Sequence, residues 1–550
     1  MTRSTSSARV ECESAGASSS ARAPGPWRDP IVWIGAGLGA AATAHALFAG
    51  RYLPSIDWAN HLGLISVLAH GERTGALAFF ERSLAPGPYF TFYALTALLA
   101  QMMPVEVAAR IVLTVAAGGL ALGASALAAA TGRSPRLGLI GPIAMFGTSA
   151  YWGFLSFEMA TPVLLFTLAA TETTLDRCRR SQGGRLIDAL CSRDVVRLSF
   201  WLALLYLSHG FLFLVACAVI GVRAIAFGVA HARRATGAAL KAPLVALVAV
   251  VPAVLLMLPA TTLFRAPSVP PGVDTARLFE FTPLQDRLHE LPADLLGQDS
   301  RHHLAVIYAA VALWIGWMAA SLMRRRPAPS TGDGRGLEIY ALTFTALYLW
   351  GPISVNWPSW VWPIYPRFAV IAAVAILLLP RCDLSGRLGA LLAFAAIAVV
   401  AGEAEISAVH AERFTSWARK YDPIRTLIPP GARVLGLTAI GPRDRPLRHY
   451  ALANLYMYHM VDGASYVNYL FEKHEQPVHL RRDRPAPRAP YWATPLDFDP
   501  RSDGRDYDFL VLRGQEIVNR TLQAELHDEI GRYGAWVLFR TKSPPPPPMP

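Results

Sequence analysis

Eleven apolar stretches, separated mostly by short loops, constrain the fold more than any other feature of this sequence. A helix that crosses a membrane needs about 20 mostly apolar residues. The stretches are residues 31–50, 107–130, 137–150, 160–171, 198–207, 211–230, 244–262, 304–323, 339–350, 368–379 and 388–400. This pattern predicts a mainly α-helical, polytopic membrane bundle with about 11 spans.

The composition agrees with a membrane protein and excludes several soluble classes. Only 16% of the 550 residues are charged and 53% are hydrophobic, whereas soluble proteins carry about 25% charged residues. Five cysteines without paired zinc-ligand spacing exclude a disulfide scaffold. The net charge of +12 does not indicate nucleic acid, because the arginines cluster in loops between apolar stretches, where they set membrane orientation.

The short stretches leave alternatives open. Residues 31–50 are predicted to remain as an anchor, with a cleaved signal peptide as the alternative. Residues 137–171 and 198–230 are each predicted to form a hairpin of two short helices. The breaks are placed at residues 151–153 and 208–210, and the alternative at each place is one long tilted helix.

The arginine-rich loops predict the orientation. They lie at residues 133–136, 177–197, 233–241, 324–335 and 381–387. Cytoplasmic loops carry the excess of lysine and arginine. We therefore expect a multi-pass protein of the bacterial inner membrane, with the N-terminus in the cytoplasm and the C-terminus outside.

The segments outside the spans have compositions of their own. Residues 1–30 are predicted to be a disordered cytoplasmic tail, residues 57–103 to contain surface helices, and residues 264–302 to be an outer loop. Residues 57–71 have helical spacing and are expected to lie flat on the bilayer surface.

The chain leaves the membrane after its transmembrane part, residues 31–410. Residues 411–542 are predicted to be a periplasmic α/β domain, and residues 543–550 a proline-rich tail. The expected elements of the α/β domain are buried strands at 433–437, 508–512 and 536–539 and an amphipathic helix at 515–533.

Ionisable residues close to the membrane are candidates for function. Asp57, Glu158 and His209 are all expected at the outer rim of the bundle. Two carboxylates that face one cavity can act as a base or as metal ligands. The structural alternatives are a helix N-cap for Asp57, a favourable first-turn position for Glu158 and a purely structural histidine.

His209 and three further side chains are candidates for substrate binding. Arg110 and Arg367 lie at the outer ends of spans, and arginine is well shaped for bidentate contacts with phosphate. The alternative for both is an interfacial arginine that only extends its charge to water. His61, one turn beyond Asp57, is predicted to contact substrate. No Walker loop, dinucleotide fingerprint or nucleophile elbow is present.

The order of these features resembles the C-type glycosyltransferases, membrane enzymes that use polyprenyl-phosphate-linked sugars. One span is followed by Asp57 at the start of a helix, then by the aromatic stretch Pro86–Tyr93. Val105–Arg110 resembles the alanine-arginine start of the family's next span. A second acid, Glu158, precedes Ala160-Thr161-Pro162, although the family's second acid is usually aspartate.

The resemblance implies an activity and roles for the two acids. Asp57 would be the catalytic or acceptor-binding carboxylate, and Glu158 would help to hold a divalent cation, Mg or Mn, or the donor phosphate. The expected function is transfer of a sugar from a polyprenyl-phosphate donor to an extracytoplasmic lipid or glycan acceptor, in contact with membrane lipids. The alternatives are a non-catalytic scaffold or assembly protein and a transporter of lipid-linked sugars.

Overall fold

The structure is a computed structural model that describes most of the chain. The described residues are 26–83, 85–180, 186–232, 236–258, 276–297, 300–323, 335–356, 360–382, 384–439, 451–463, 465–468, 476–481, 483, 487–491 and 494–542. The predictions for residues 1–25, 259–275, 324–334 and 543–550 lie outside the described residues.

Helices dominate the described residues. The α-helices are α1 (Pro30–Ala49), α2 (Trp58–Thr74), α3 (Phe90–Ala100), α4 (Val105–Ala130), α5 (Thr148–Trp152), α6 (Leu155–Arg180), α7 (Leu186–Leu190), α8 (Arg193–Ser208), α9 (Gly210–His231), α10 (Thr236–Met257), α11 (Leu284–Leu296), α12 (Arg301–Met323), α13 (Gly336–Trp350), α14 (Pro366–Leu377), α15 (Gly386–Ala418), α16 (Asp422–Leu427), α17 (Tyr458–Gly463) and α18 (Gln515–Ala524). The strands are β1 (Phe80–Arg82), β2 (Phe279–Glu280), β3 (Ser354–Val355), β4 (Arg433–Thr438), β5 (Tyr466–Val467), β6 (Val478–Leu480), β7 (Phe509–Arg513), β8 (His527–Tyr533) and β9 (Trp536–Thr541).

The apolar stretches of the sequence coincide with helices, which confirms a polytopic membrane bundle. Within the described residues, α1, α4, α9, α12 and α15 are long and apolar enough to cross a membrane. Shorter apolar helices are present at residues 90–100, 241–257 and 366–377. The count of 11 crossings stays a prediction.

Both predicted breaks are present, so neither stretch is one long helix. Gly153 ends α5 with φ +88°, a left-handed conformation that glycine adopts without steric cost. At the second break, Nδ1 of His209 accepts the backbone N–H of Leu212 at 3.2 Å and caps α9. The first hairpin differs from the prediction, because Pro135–Phe146 is a buried 3-10 helix, and this helix and α6 both pack against α4.

Helices α1 and α4 pack against each other and run in opposite directions. At one end Arg136 pairs with Asp29 at the start of α1, with 2.7 Å between nitrogen and oxygen. At the other end Arg110 of α4 contacts the carbonyl of Gly50, just after α1. The 26 residues of α4 span about 39 Å, so the basic loop after α4 and the start of α2 lie at opposite ends of the bundle.

The C-terminal region contains a five-stranded sheet in the order β5-β4-β7-β9-β8. Strand β4 pairs in parallel with β5 and β7, whereas β7, β9 and β8 are antiparallel. The strands predicted near residues 433, 508 and 536 are confirmed. The helix predicted at 515–533 is wrong in its second half: α18 ends before Glu525, which has φ +55°, and His527–Tyr533 forms a hairpin with β9.

Helix α2 is buried inside the protein, and the predicted position flat on the bilayer surface stays a prediction. Residues 58–68 are buried on every side of the helix, against the bundle below and against α17 above. Gly63 allows this close approach, since a Cβ there would lie 2.8 Å from the sulfur of Met460. Strand β1, which follows α2, pairs with β6 of the C-terminal region. The C-terminal region therefore covers the end of the bundle at which α2 begins.

Candidate functional site

Asp57 lies where α2 begins, against the turn that follows α5. Its backbone N–H donates to the carbonyl of Trp152 (3.2 Å), and that of Ile56 donates to the carbonyl of Tyr151 (2.9 Å). Asp57 occupies the N-cap position, but its side chain makes no capping hydrogen bond, so the plain N-cap alternative is wrong. Its Oδ1 instead accepts a hydrogen bond of 3.0 Å from Nδ2 of Asn454, in the C-terminal region.

The surroundings of Asp57 favour a carboxyl group that exchanges its proton. No cationic side chain in the described residues pairs with it. Burial raises the pKa of Asp57 to about 8, and the hydrogen bond from Asn454 offsets part of this increase. A general base works best when its pKa lies near the operating pH. Asp57 has this property.

His61 fastens the same turn to α2 and α3. Its ring hydrogen-bonds to the backbone of Gly153, and its Nδ1 lies 2.6 Å from the hydroxyl of Tyr93. A backbone carbonyl can only accept a hydrogen bond, so the ring nitrogen that faces Gly153 must carry the proton. In the neutral ring this nitrogen is Nε2, and Nδ1 accepts a hydrogen bond from the hydroxyl of Tyr93. Burial lowers the pKa of His61 to about 4, which keeps the ring neutral at pH 7. Protein partners therefore contact both ring nitrogens of His61. The predicted contact of His61 with substrate stays a prediction.

Glu158 and Arg367 form the charged part of the site. Glu158 lies in the first turn of α6 and is buried, with no hydrogen bond to its carboxylate in the described residues. The positive charge of Arg367, at the start of α14, acts on it. The guanidinium of Arg367 stacks on Phe154, with its carbon 4.0 Å from the ring centroid, and one Nη donates to the carbonyl of Trp362 at 3.0 Å. Among the described residues, its Nε is buried without a hydrogen-bond partner.

His209 lies beside this pair, as the sequence predicted. The centroid of its ring is 4.9 Å from that of Tyr89 and 5.5 Å from that of Phe157. Because Nδ1 accepts the backbone N–H that caps α9, a neutral ring carries its proton on Nε2. The structure therefore gathers Glu158, His209 and Arg367 around aromatic rings, while Asp57 and His61 lie against the turn that leads into α6.

Arg110 does not join this group. One Nη donates to the carbonyls of Gly50 (2.9 Å) and Arg51 (2.6 Å), where α1 ends. A helix C-terminus leaves carbonyls without partners, and arginine commonly satisfies them. Within the described residues Nε of Arg110 is buried without a hydrogen-bond partner, and the expectation that Arg110 and Arg367 meet one phosphate stays a prediction.

Comparison with solved structures identifies the fold. The structure of ArnT from Cupriavidus metallidurans bound to undecaprenyl phosphate is similar, with a TM-score of 0.52 and 12% identity over 94% of this chain and 98% of that one. The chain has the C-type glycosyltransferase fold. The apo state of the same ArnT gives a TM-score of 0.50 and 12% identity, over 91% of this chain and 95% of that one. No family model and no curated protein sequence matches the chain.

The predicted metal role of Glu158 finds no support in this C-type glycosyltransferase fold. In the part of the chain that the structure describes, no group of three or more His, Cys, Asp or Glu side chains could hold a metal ion. The charge that acts on Glu158 is that of Arg367, and a guanidinium repels a second cation. The predicted metal role of Glu158 stays a prediction, and we derive no step through a cation there.

Sequence reasoning missed Asn454 and Tyr93. Asn454 follows Asp57 by 397 residues, and nothing in the local sequence links the two. Tyr93 belongs to the aromatic stretch before α4, where its spacing of four residues from Tyr89 was the available signal, because positions i and i+4 share a helix face.

Proposed function

We propose that this protein is a membrane glycosyltransferase that moves a sugar from a polyprenyl-phosphate donor to an extracytoplasmic lipid or glycan acceptor. The observation that carries the proposal is the half-buried carboxyl of Asp57, which an amide holds against the turn that leads into α6, the helix whose first turn contains Glu158. Within this fold, a base at this turn and the buried cation Arg367 provide for the two needs of sugar transfer from a phosphate. The ArnT structure with undecaprenyl phosphate supports the class of donor.

Arg367 is the proposed partner of the donor phosphate. In the part of the chain that the structure describes, its Nε has no hydrogen-bond partner, and its stacking on Phe154 fixes the plane of the guanidinium. A cavity of about 290 Å³ begins at Val370, one turn along α14, and its wall is formed entirely by apolar residues that include Ala310 and Trp314. A polyprenyl chain in this cavity would bring its phosphate to the end of α14 where Arg367 lies.

The proposed reaction needs one base and one stabilised leaving group. Asp57 removes the proton from an acceptor hydroxyl, whose oxygen forms a bond with the anomeric carbon. The bond between that carbon and the phosphate oxygen breaks, and polyprenyl phosphate leaves with both electrons. Arg367 stabilises the charge that grows on the phosphate, and Glu158 balances Arg367 when no donor is bound. The proton remains on Asp57 until it passes to solvent.

The arrangement of charges supports the proposed location. Asp29 and Arg136 mark one end of α1 and α4, and Asp57 follows the other end. The positive-inside rule assigns the arginine-rich end to the cytoplasm. The site and the C-terminal region then lie on the periplasmic side of the bacterial inner membrane, where the acceptor would be available.

The deciding experiment measures sugar transfer by the purified protein in lipid vesicles. The donors are polyprenyl-phosphate sugars labelled in the sugar, and the acceptor is a membrane extract of a deletion strain. We expect label in a new product with wild type and a loss of at least 100-fold with Asp57→Asn. The matched control is Asp528→Asn, since this aspartate is exposed in the C-terminal sheet.

The other outcomes contradict the proposal in distinct ways. A scaffold would show no transfer, and Asp57→Asn would still complement the deletion strain. A transporter would move the labelled lipid across the vesicle membrane and form no glycosidic bond. Equal rates for Asp57→Asn and Asp528→Asn would remove Asp57 from the chemistry.

A further inference from the structure

The C-terminal region reaches into the site through one side chain. Asn454 is buried, 9% exposed, and its Nδ2 lies 3.0 Å from Oδ1 of Asp57. This is the only hydrogen bond to the Asp57 carboxylate in the part of the chain that the structure describes. The proposed general base, Asp57, is therefore held by a residue of the C-terminal region.

Asn454 is held in place by its neighbours on both sides along the chain. The hydroxyl of Thr438 in β4 donates to the carbonyl of Ala453 at 3.2 Å, which ties this segment to the central sheet. After Asn454, the 3-10 turn Leu455–Met457 leads into α17, and both pack on α2.

Helix α17 is fixed in turn to the segment that leaves the membrane bundle. Arg425 of α16 makes a bidentate ion pair with Asp462, with both nitrogen–oxygen distances at 2.6 Å. The hydroxyl of Tyr421 lies 2.6 Å from Nε2 of His459. These contacts set the height of α17 above α2, and so the distance between Asn454 and Asp57.

We propose that Asn454 is a positioning residue for Asp57 and that the C-terminal region is, through it, a working part of the active site. The inference rests on the proposed function. An amide N–H that donates to Oδ1 fixes the rotation of the carboxylate, which leaves Oδ2 to accept the proton of the acceptor hydroxyl. The same donation favours the ionised form of Asp57.

Few other groups can account for the titration of Asp57. Within the described residues, the titratable groups close to it are His61 on α2 and Tyr93 on α3. From α4, the guanidinium of Arg110 approaches the ring of Trp58, next to Asp57, at 5.9 Å from the centroid. Of these, Arg110 alone carries a charge at pH 7. Asn454 is thus the partner whose removal should change the pKa of Asp57 most.

The test replaces Asn454 with alanine and follows kcat against pH in the full-length protein. The control is Asn468→Ala, because Asn468 is a buried amide of the same region whose hydrogen bonds within the described residues go to the backbone of Gly436, at 2.7 and 3.0 Å. A hydrogen bond to a charged carboxylate lowers its pKa by about one unit or more. We expect Asn454→Ala to shift the acidic limb of the profile upward by about one unit, with a rate about tenfold lower at pH 7 that recovers above pH 9.

An infrared titration follows the Asp57 carboxyl directly, as the difference between the spectra of each protein and of its Asp57→Asn variant. This measurement does not depend on activity. An upward shift of its midpoint in Asn454→Ala supports the positioning role even if no donor is turned over, in which case only the proposed function fails. An unshifted midpoint, or a loss of rate that is equal at every pH as expected for Asn468→Ala, would overturn the inference.

Discussion

Replacing Gly153 with alanine tests whether the turn after α5 positions Asp57. Gly153 has φ +88°, a conformation that costs a residue with a Cβ about 1–2 kcal/mol. The new Cβ would also lie 2.8 Å from the backbone nitrogen of Asp57 and 3.0 Å from its Cβ. Carbon contacts are optimal at about 3.5–4.0 Å, so Asp57 and the turn must separate by roughly half an ångström or more.

The expected losses follow from these two terms. The backbone strain costs about 1–2 kcal/mol and the overpacking about 1–3 kcal/mol. We therefore expect the free energy of unfolding to fall by about 2–5 kcal/mol. Gly75 provides the matched control, because it has φ +79° and no atom within 4 Å of an added Cβ. Gly75→Ala should lose only the strain. A misplacement of about 1 Å can cost about 100-fold in rate, so we expect Gly153→Ala to lower kcat by about 10- to 100-fold and Gly75→Ala to leave it unchanged.

Two measurements on the same preparations decide the matter. Thermal unfolding in detergent, followed by tryptophan fluorescence, ranks the stabilities of wild type, Gly75→Ala and Gly153→Ala. Initial rates of sugar transfer, taken well below the unfolding transition, give kcat. A Gly153→Ala protein with the rate of wild type, or with no more destabilisation than Gly75→Ala, would refute the view that this turn sets the position of Asp57.

Three further outcomes follow from the site. Arg367→Gln should raise the KM for the donor at least tenfold, and Arg367→Lys should restore only part of it, because lysine lacks the planar fork; kinetics at varied donor concentration measure both. EDTA should leave the initial rate unchanged, and a loss that only Mg²⁺ or Mn²⁺ restores would reveal a metal site. Ala310→Trp, which fills the apolar cavity, should raise the KM for a long-chain donor more than for a short-chain donor; equal changes would place the lipid elsewhere.

The sequence predicted those parts of the structure that depend on local composition. Apolar stretches of sufficient length become helices in a membrane because their backbone groups must pair within the segment. The break at Gly153 was visible because glycine allows the left-handed turn, and the approximate place of Asp57 followed from the end of α1. The helix prediction for the second half of 515–533 was wrong, because His527–Tyr533 pairs as a strand with β9, a partner that it gains only when the hairpin closes.

The sequence could not show which side chains meet across the fold. Arg110 and Arg367 look alike in the sequence, each at the start of a helix. In the structure Arg110 donates to the carbonyls at the end of α1, whereas the charge of Arg367 acts on the carboxyl group of Glu158. The burial of α2 and the hydrogen bond from Asn454 both come from the docking of the C-terminal region, which no periodicity within α2 encodes.

The different partners of the two carboxyl groups follow from what each has to do. A guanidinium next to Asp57 would lower its pKa by about 1–3 units and make it a poorer proton acceptor. Burial with no partner would leave it protonated at neutral pH. An amide donor lies between these limits, and the pKa of about 8 keeps both forms of Asp57 accessible near neutral pH. Glu158 has the positive charge of Arg367 near it instead, and this charge favours the ionised form of a carboxyl group whose burial favours the neutral form.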